Sequence, residues 1–258
     1  MKNLNEIKND IAEIASHLAQ MGWSEANAGN ISVLLSREMS FEESDNPKSY
    51  TLLEPVKELA GRTILVTASG SRFRRMKRDL DTQIIPITIS QYGTTATWPS
   101  EYPNPTSEIA THILVHSLSP EVNWNESAIV HTHSTKMLAL SSCDMPGEML
   151  KEAVNRAHPE ITTLMKKGLA FLDFAPPGTW ELGTKTKKEF KRANSVIWRK
   201  HGILGYANDI EMACDYVEMV EKAAEILILE KGAFGSFLGL KNKELTSLQQ
   251  LIQSTNVF

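Results

Sequence analysis

Two histidines one residue apart, His131 and His133, close the apolar run "SAIVHTH". In an extended strand, side chains at i and i+2 point to the same face, so both imidazoles would face one side. Imidazole is a borderline ligand that suits zinc. An open, catalytic zinc site takes three protein ligands, so a third has to come from elsewhere among the seven histidines of the chain. His201, in "WRKHGILG", sits at a tight turn between two apolar runs. Its neighbour Gly202 allows backbone to approach closely, so this histidine can point into a cleft. His112 and His116 stand four apart on one helix face, but no H-E-x-x-H is present, and they read as an ordinary polar or interface face. His17 falls half-exposed on the N-terminal helix, and His158 precedes Pro159 in a loop. No cysteine accompanies the H-x-H, which points away from a closed structural zinc. Paired strand histidines also occur as ordinary core or surface residues, and spacing alone leaves both readings standing.

The elements that must position these residues can be read from periodicity. Leu4, Ile7, Ile11, Ile14, Leu18 and Met21 recur at spacings of three and four, the stripe of an amphipathic helix that Gly22 ends. "NISVLLS" (30–36) and "TILVTAS" (63–69) read as strands, with the polar "SREMSFEESDNPKSY" between them as a loop. "IIPITIS" and "TTATWP" form a hairpin around Tyr92-Gly93, and Pro86 suggests an edge or a bulge. A proline-rich loop (99–108) leads into the helix "SEIATHILVHSL". "SAIVHTH" is a short strand with a helix after it. "GLAFLDF" is a strand, and the turn "PPGTWELG" opens the helix "TKTKKEFKRAN". "SVIWRKHGILGYA" reads as strand, turn, strand. A long helix follows, capped by Asp209. Interspersed helices and strands without a linker predict one domain over residues 1–258, a sheet covered by helices on both faces.

Bulk properties narrow the function. The net charge of −4 argues against a general nucleic-acid or acidic-membrane binder. The basic stretch "SRFRRMKRD" (71–79) is short and reads as a solvated face. Cys143 and Cys214, the only cysteines, form no C-x-x-C, so a reducing, cytoplasmic setting is expected. The N-terminus has no apolar signal region, and no run reaches the roughly 18 apolar residues that span a bilayer. Neither a G-x-G-x-x-G after a strand nor a phosphate-binding P-loop is present.

Six stretches carry a wider resemblance: "GWSEANAGNIS", "VTASGSRF", "PTSEIATH", "IVHTHSTKMLAL", "APPGTWELG" and "WRKHGILG". In this order, and over nearly the whole chain, the sequence resembles the class II, zinc-dependent sugar-phosphate aldolases. The G-W-x-E-x-N-x-G-N opening and the P-G-T-x-E-x-G turn are most similar to the branch acting on L-rhamnulose 1-phosphate. The resemblance implies a three-layer α/β/α fold with a mixed, mostly antiparallel sheet, and a homotetramer with sites at subunit interfaces. It implies that His131, His133 and His201 hold one zinc ion per subunit and that Glu108 is the catalytic acid/base. Asn27, Gly29, Asn30, Ser69, Gly70, Thr106 and Ser107 fall where the family binds substrate phosphate. Glu160, in "HPEITT", aligns with a second functional carboxylate in more divergent surroundings. Two departures bear on the phosphate site. Ala28-Gly29 stands where the family has Gly-Gly, and Ala68-Ser69-Gly70-Ser71 where it has Gly-Ser-Gly-Lys. Without that lysine, anion binding would fall on backbone N–H groups and on Arg72 or Arg74.

The implied reaction cleaves L-rhamnulose 1-phosphate to dihydroxyacetone phosphate and L-lactaldehyde, with zinc as the Lewis acid that stabilises the enediolate. Imidazoles must be deprotonated to bind zinc, so activity is expected to fall below about pH 6.5. Other activities on the same scaffold are L-fuculose-phosphate aldolase, pentulose-phosphate epimerase and methylthioribulose-phosphate dehydratase. The epimerases carry Asp where this chain has Glu108. Rivals of another class are a zinc hydrolase and a metal-free interaction module like the cytoskeletal relatives of the fold.

Overall fold

The apolar stripe at the N-terminus folds as the helix its spacing predicts. In a computed structural model of the chain, which describes residues 2–37, 39 and 45–255, α1 spans Leu4–Gln20. Asn3 accepts from the Glu6 N–H while the Glu6 carboxylate accepts from the Asn3 N–H, a capping box that fixes where the helix starts. Gly22, at φ 75, turns the chain out of α1 toward the sheet.

Among the described residues the strands form one nine-stranded sheet. Its first half holds β1 (Asn30–Leu34), β2 (Lys48–Thr51), β3 (Thr63–Thr67), β4 (Ile84–Ile89) and β5 (Thr95–Trp98), with the one-turn α2 (Leu80–Gln83) leading into β4. Then come α3 (Ile109–His116), β6 (Ser127–Thr132), α4 (Thr135–Ser141), α5 (Gly147–Ala157), α6 (Pro159–Leu164) and β7 (Leu169–Leu172). The chain continues through α7 (Trp180–Phe190), β8 (Ser195–Trp198), β9 (Gly202–Ala207), α8 (Ile210–Phe234) and α9 (Asn242–Thr255). The strand order is β2-β5-β4-β3-β1-β6-β9-β8-β7. All neighbours pair antiparallel except β7 and β8, so the sheet is mixed and mostly antiparallel, as expected.

Helices cover both faces. Ile31 and Val33 of β1, with Ala128 and Val130 of β6, pack in one cluster with α1, α4, α5, α6 and α8. On the other face Leu34, Ile64 and Val66 pack against Ile109 and Ile113 of α3, while Ile129, Val196 and Leu204 meet Leu182 and Phe190 of α7. The two central strands are therefore buried on both sides.

Four details differ from the sequence reading. The polar stretch after β1 contains an edge strand, β2, whose alternate residues are exposed and which pairs with β5; residues 38 and 40–44 of that stretch lie outside the described residues. Pro86 belongs to an interior strand, opposite Leu65, but β5 pairs with β4 only at Thr88 and Ile89. The side of Pro86 away from β3 lies beyond that pairing, so the missing N–H removes no ladder bond there. His158 is not in a loop: it is the single residue joining α5 to α6. Helix α7 begins at Trp180, three residues before the turn was expected to end, because the Thr179 side chain accepts from the Leu182 N–H.

Candidate active site

The register of β6 sets the first histidine. His131 lies opposite Asn30 of β1 and Leu204 of β9. β6 ends at Thr132, so His133 stands one residue past it. Its N–H donates to the Trp23 carbonyl at 3.0 Å, which the Thr132 hydroxyl also reaches. The β8–β9 loop supplies His201. Lys200 takes a left-handed conformation, φ 63, and the His201 N–H donates to the Trp198 carbonyl at 3.0 Å. Arg199 ties the loop to the end of α4 through the Ser141 carbonyl. The His201 ring stacks on Trp198 with centroids 4.9 Å apart and an interplanar angle of 28°. Gly202 is required here. A Cβ on it would meet the Thr132 carbonyl oxygen at 2.6 Å and His131 Cε1 at 2.7 Å.

The three rings form a nearly equilateral triangle. Centroids of His131, His133 and His201 are 5.1 to 5.3 Å apart. One ligand atom from each lies within 4.8 Å of the others. Their hydrogen bonds also fix which nitrogens are free. His131 Nδ1 is 3.0 Å from the Ile203 carbonyl, which can only accept, so Nδ1 carries the hydrogen and Nε2 the lone pair. That Nε2 is buried without a hydrogen-bond partner, and so is His201 Nδ1. His133 Nδ1 donates to Glu25 Oε1 at 2.9 Å, which leaves its Nε2 as an acceptor. Burial pushes the His131 pKa down to about 3, against the pull of Glu108, so its ring is neutral, the ligand form. A buried polar atom without a partner costs about 1–3 kcal/mol. A cation at the bare Nε2 of His131 and the accepting Nε2 of His133 would satisfy both, so the set fits a divalent metal that accepts imidazole.

Glu108 faces this cluster from the start of α3. Its carboxylate is buried, with Oε2 accepting from Asn30 Nδ2 at 2.9 Å. Oε1 lies 3.2 Å from His201 Nε2, and Oε2 lies 3.4 Å from His131 Nε2. Burial alone would raise its pKa, but the hydrogen bonds it accepts from His201 and Asn30 favour the charged form, and the carboxyl is held well below the usual carboxylate range. A first-turn acid that merely complemented the helix dipole would face solvent; this one does not.

A cavity of about 140 Å³ joins these groups to three loops. Asn27, Gly29 and Asn30 line it from the stretch before and into β1, Ser69 and Gly70 from the turn after β3, and Thr106 and Ser107 from the segment before α3. Gly29 has φ 81, and a Cβ there would meet the His131 carbonyl oxygen at 2.9 Å, so the loop can lie against β6 only as glycine. Two backbone donors expected for an anion are already taken. The Ser69 N–H donates to the Asn104 carbonyl, and the Thr106 N–H to the Thr67 carbonyl. Side-chain hydroxyls and amides carry the polarity instead. Arg72 and Arg74 are exposed and do not line the cavity.

Glu160 is not brought to this cavity. It sits exposed in the first turn of α6, where its carboxylate accepts from His158 Nδ1 at 2.7 Å, and it borders two open clefts along α8. Sequence reading missed a role for Glu25, because its partner is His133, which no local spacing links to it. It also misjudged His112 and His116, which are fully buried between α3 and the sheet. Their spacing showed a shared helix face but not which way that face turns.

The comparisons with known proteins agree with this geometry. The family model for the class II aldolase and adducin N-terminal domain matches residues 9–228. A rhamnulose-1-phosphate aldolase of Listeria monocytogenes is 27% identical over 250 residues, covering 93% of this chain and 90% of its own. The crystal structure of a sugar-phosphate aldolase from Thermotoga maritima superposes with a TM-score of 0.73 at 34% identity, over 90% of this chain and 97% of that one. An L-fuculose 1-phosphate aldolase superposes with a TM-score of 0.67 over 98% of each chain; at 22% identity that likeness concerns the fold.

Proposed function

The chain belongs to the class II aldolase and adducin family and is a class II aldolase, and on that premise we propose that it cleaves L-rhamnulose 1-phosphate to dihydroxyacetone phosphate and L-lactaldehyde. The observation that carries the proposal is the juxtaposition in one small cavity of three imidazoles, a buried carboxylate and a hydroxyl-lined end. His131, His133 and His201 would hold one zinc ion per subunit. Bound zinc would polarise the substrate's ketone oxygen as a Lewis acid and ease the negative charge that carbon–carbon cleavage leaves. Glu108, kept as a carboxylate beside the imidazoles, is the acid/base that carries the proton to and from the carbon left electron-rich. Asn27, Asn30 and the hydroxyls of Ser69, Thr106 and Ser107 would hold the phosphate, with Gly29 and Gly70 giving it room. The choice of L-rhamnulose 1-phosphate rests on the name of the Listeria relative and on its near-complete overlap with this chain.

The same reading carries a homotetramer in the cytoplasm. Exposed Leu229, Phe234, Leu238 and Leu251 offer apolar surface that assembly would cover, and both cysteines are free thiols. Glu160 stays in the proposal only as a group that reaches the site of a second subunit. The Glu160→Gln protein tests it: cleavage within twofold of the parent would remove this carboxylate from the mechanism.

The decisive experiment is cleavage of L-rhamnulose 1-phosphate by the purified protein, with dihydroxyacetone phosphate detected before chelation, after it, and after zinc is returned. Activity that vanishes with chelator and returns with zinc is expected. A zinc-loaded protein inactive on this substrate would overturn the substrate, and L-fuculose 1-phosphate and pentulose phosphates would be assayed next.

A further inference from the structure

A line of buried polar side chains runs from Glu108 through the layer between α3 and the sheet. We propose that His112 is a positioning residue: it locks the Asn30 amide with its NH2 group toward Glu108, and is itself locked by a one-way chain of hydrogen bonds that ends at Tyr206. The inference rests on the reading of Glu108 as the acid/base.

The contacts are continuous. Asn30 Nδ2 donates to Glu108 Oε2 at 2.9 Å, and Asn30 Oδ1 is 2.5 Å from His112 Nε2. His112 Nδ1 is 2.6 Å from Ser32 Oγ, which is 2.7 Å from His116 Nε2. His116 Nδ1 is 2.7 Å from Ser127 Oγ. The Ser119 hydroxyl donates to Ser127 Oγ at 2.6 Å and lies 2.9 Å from the Tyr206 hydroxyl. All of these residues are buried.

Donor counting allows one direction only. A carboxylate has no hydrogen, so Asn30 must present its NH2 group to Glu108, and its Oδ1 must accept from His112 Nε2–H. Burial holds the His112 pKa down to about 4 and that of His116 well below the ordinary value, so both rings are neutral. The Nδ1 of His112 is therefore a lone pair, and the single hydrogen of Ser32 goes to it. His116 Nε2 must then donate to Ser32, its Nδ1 must accept from Ser127, and Ser127 must accept from Ser119. The last link is the direction the Ser119–Ser127 geometry gives independently. Tyr206 closes the chain by donating to Ser119. Both histidines are thus Nε2–H tautomers, and each link fixes the next. If Ser32 were lost, His112 could take the other tautomer, Asn30 could turn over, and Glu108 would meet an acceptor where it now meets a donor.

Two measurements test this. In zinc-loaded protein with 15N-labelled histidine, long-range proton–nitrogen spectra at pH 7 should give Nε2–H tautomers for both His112 and His116. Either ring as the Nδ1–H tautomer or as a cation would overturn the chain, whatever the activity. In kinetics, Ser32→Ala and His112→Leu should each lower kcat about 10- to 100-fold, the size of one hydrogen bond to a charged group, with zinc content within twofold. His112→Gln, which keeps an N–H near the Nε2 position, should recover most of that loss. A Ser32→Ala enzyme with shifted tautomers but unchanged kcat would also overturn the proposal. Glu108→Gln, assayed alongside, separates the two readings: full activity there would sink the acid/base role, while the tautomers report on the chain without substrate.

Discussion

At the scale of single residues, what holds each imidazole differs, and the difference is testable. His131 is oriented by a backbone carbonyl, which substitution cannot remove, whereas His133 is oriented by the Glu25 side chain. The Glu25 pKa is lowered: burial opposes the shift, and the hydrogen bond from His133, a backbone hydrogen bond and the His133 charge together outweigh it. Glu25→Gln replaces a charged acceptor by a neutral one. Zinc affinity should fall roughly 10- to 100-fold, as for other carboxylates behind metal-bound histidines. Competition with a chromophoric chelator measures it, and an unchanged affinity would leave Glu25 without a role at the site. Glu108→Gln should behave in the opposite way. It leaves the three histidines in place, so zinc content should persist while kcat drops about 10²- to 10⁴-fold. The H-x-H pair and the His-Gly turn were local signals, though spacing alone left their metal reading open, and Glu108 stood out only through the family resemblance. Glu25 was not legible, because its partner stands 108 residues away.

At the scale of elements, the β8–β9 turn carries the finest tolerance. Gly202 is where backbone, His131 and His133 converge: an added Cβ would also come within 3.1 Å of His133 Cδ2. Gly202→Ala has to push apart β6 and β9 at the histidine cluster. We expect a loss of about 1–3 kcal/mol, as for other overpacked interiors, with lower zinc content at saturation. Thermal unfolding together with metal analysis checks this, and a variant of parental stability and full zinc would show that the turn relaxes freely. The strand–turn–strand pattern around His201 was readable because apolar runs flank a His-Gly pair. The region from Gly147 to Leu164 was not read as α5 and α6, since its polar residues outnumber its apolar ones and its buried stripe is thin. That is why His158 was expected in a loop.

At the scale of the whole molecule, buried histidines govern the response to acid. His112 and His131 have folded pKa values of about 4 and about 3, and His116 lies well below its ordinary value, in each case chiefly through burial. A pKa lowered on folding means that the unfolded chain binds protons first. Stability is therefore full above about pH 6.5 and is lost as pH falls toward the folded values. Each such proton contributes about 1.4 kcal/mol per pH unit. Glu108, also depressed, adds its own loss only below the ordinary carboxylate range, so it does not offset the histidines in the upper window. Urea unfolding of the metal-free protein at pH 7, 6 and 5 should give steadily lower stability, and a flat profile would mean these rings are not held neutral.

The sequence alone determined most elements around the site and pointed to the three histidines that the fold brings together. Their signals are local: alternation in "NISVL", an apolar run in "SAIVHT", a stripe in α1, a glycine after His201. The tertiary structure decided what those side chains face. Antiparallel pairing of β1 with β6 sets Asn30 opposite His131, and packing of α3 on the same face turns His112 and His116 inward onto Ser32. Helical spacing defines which residues share a face. Only the register of the sheet beneath decides whether that face meets water, apolar side chains or a line of hydrogen-bond partners.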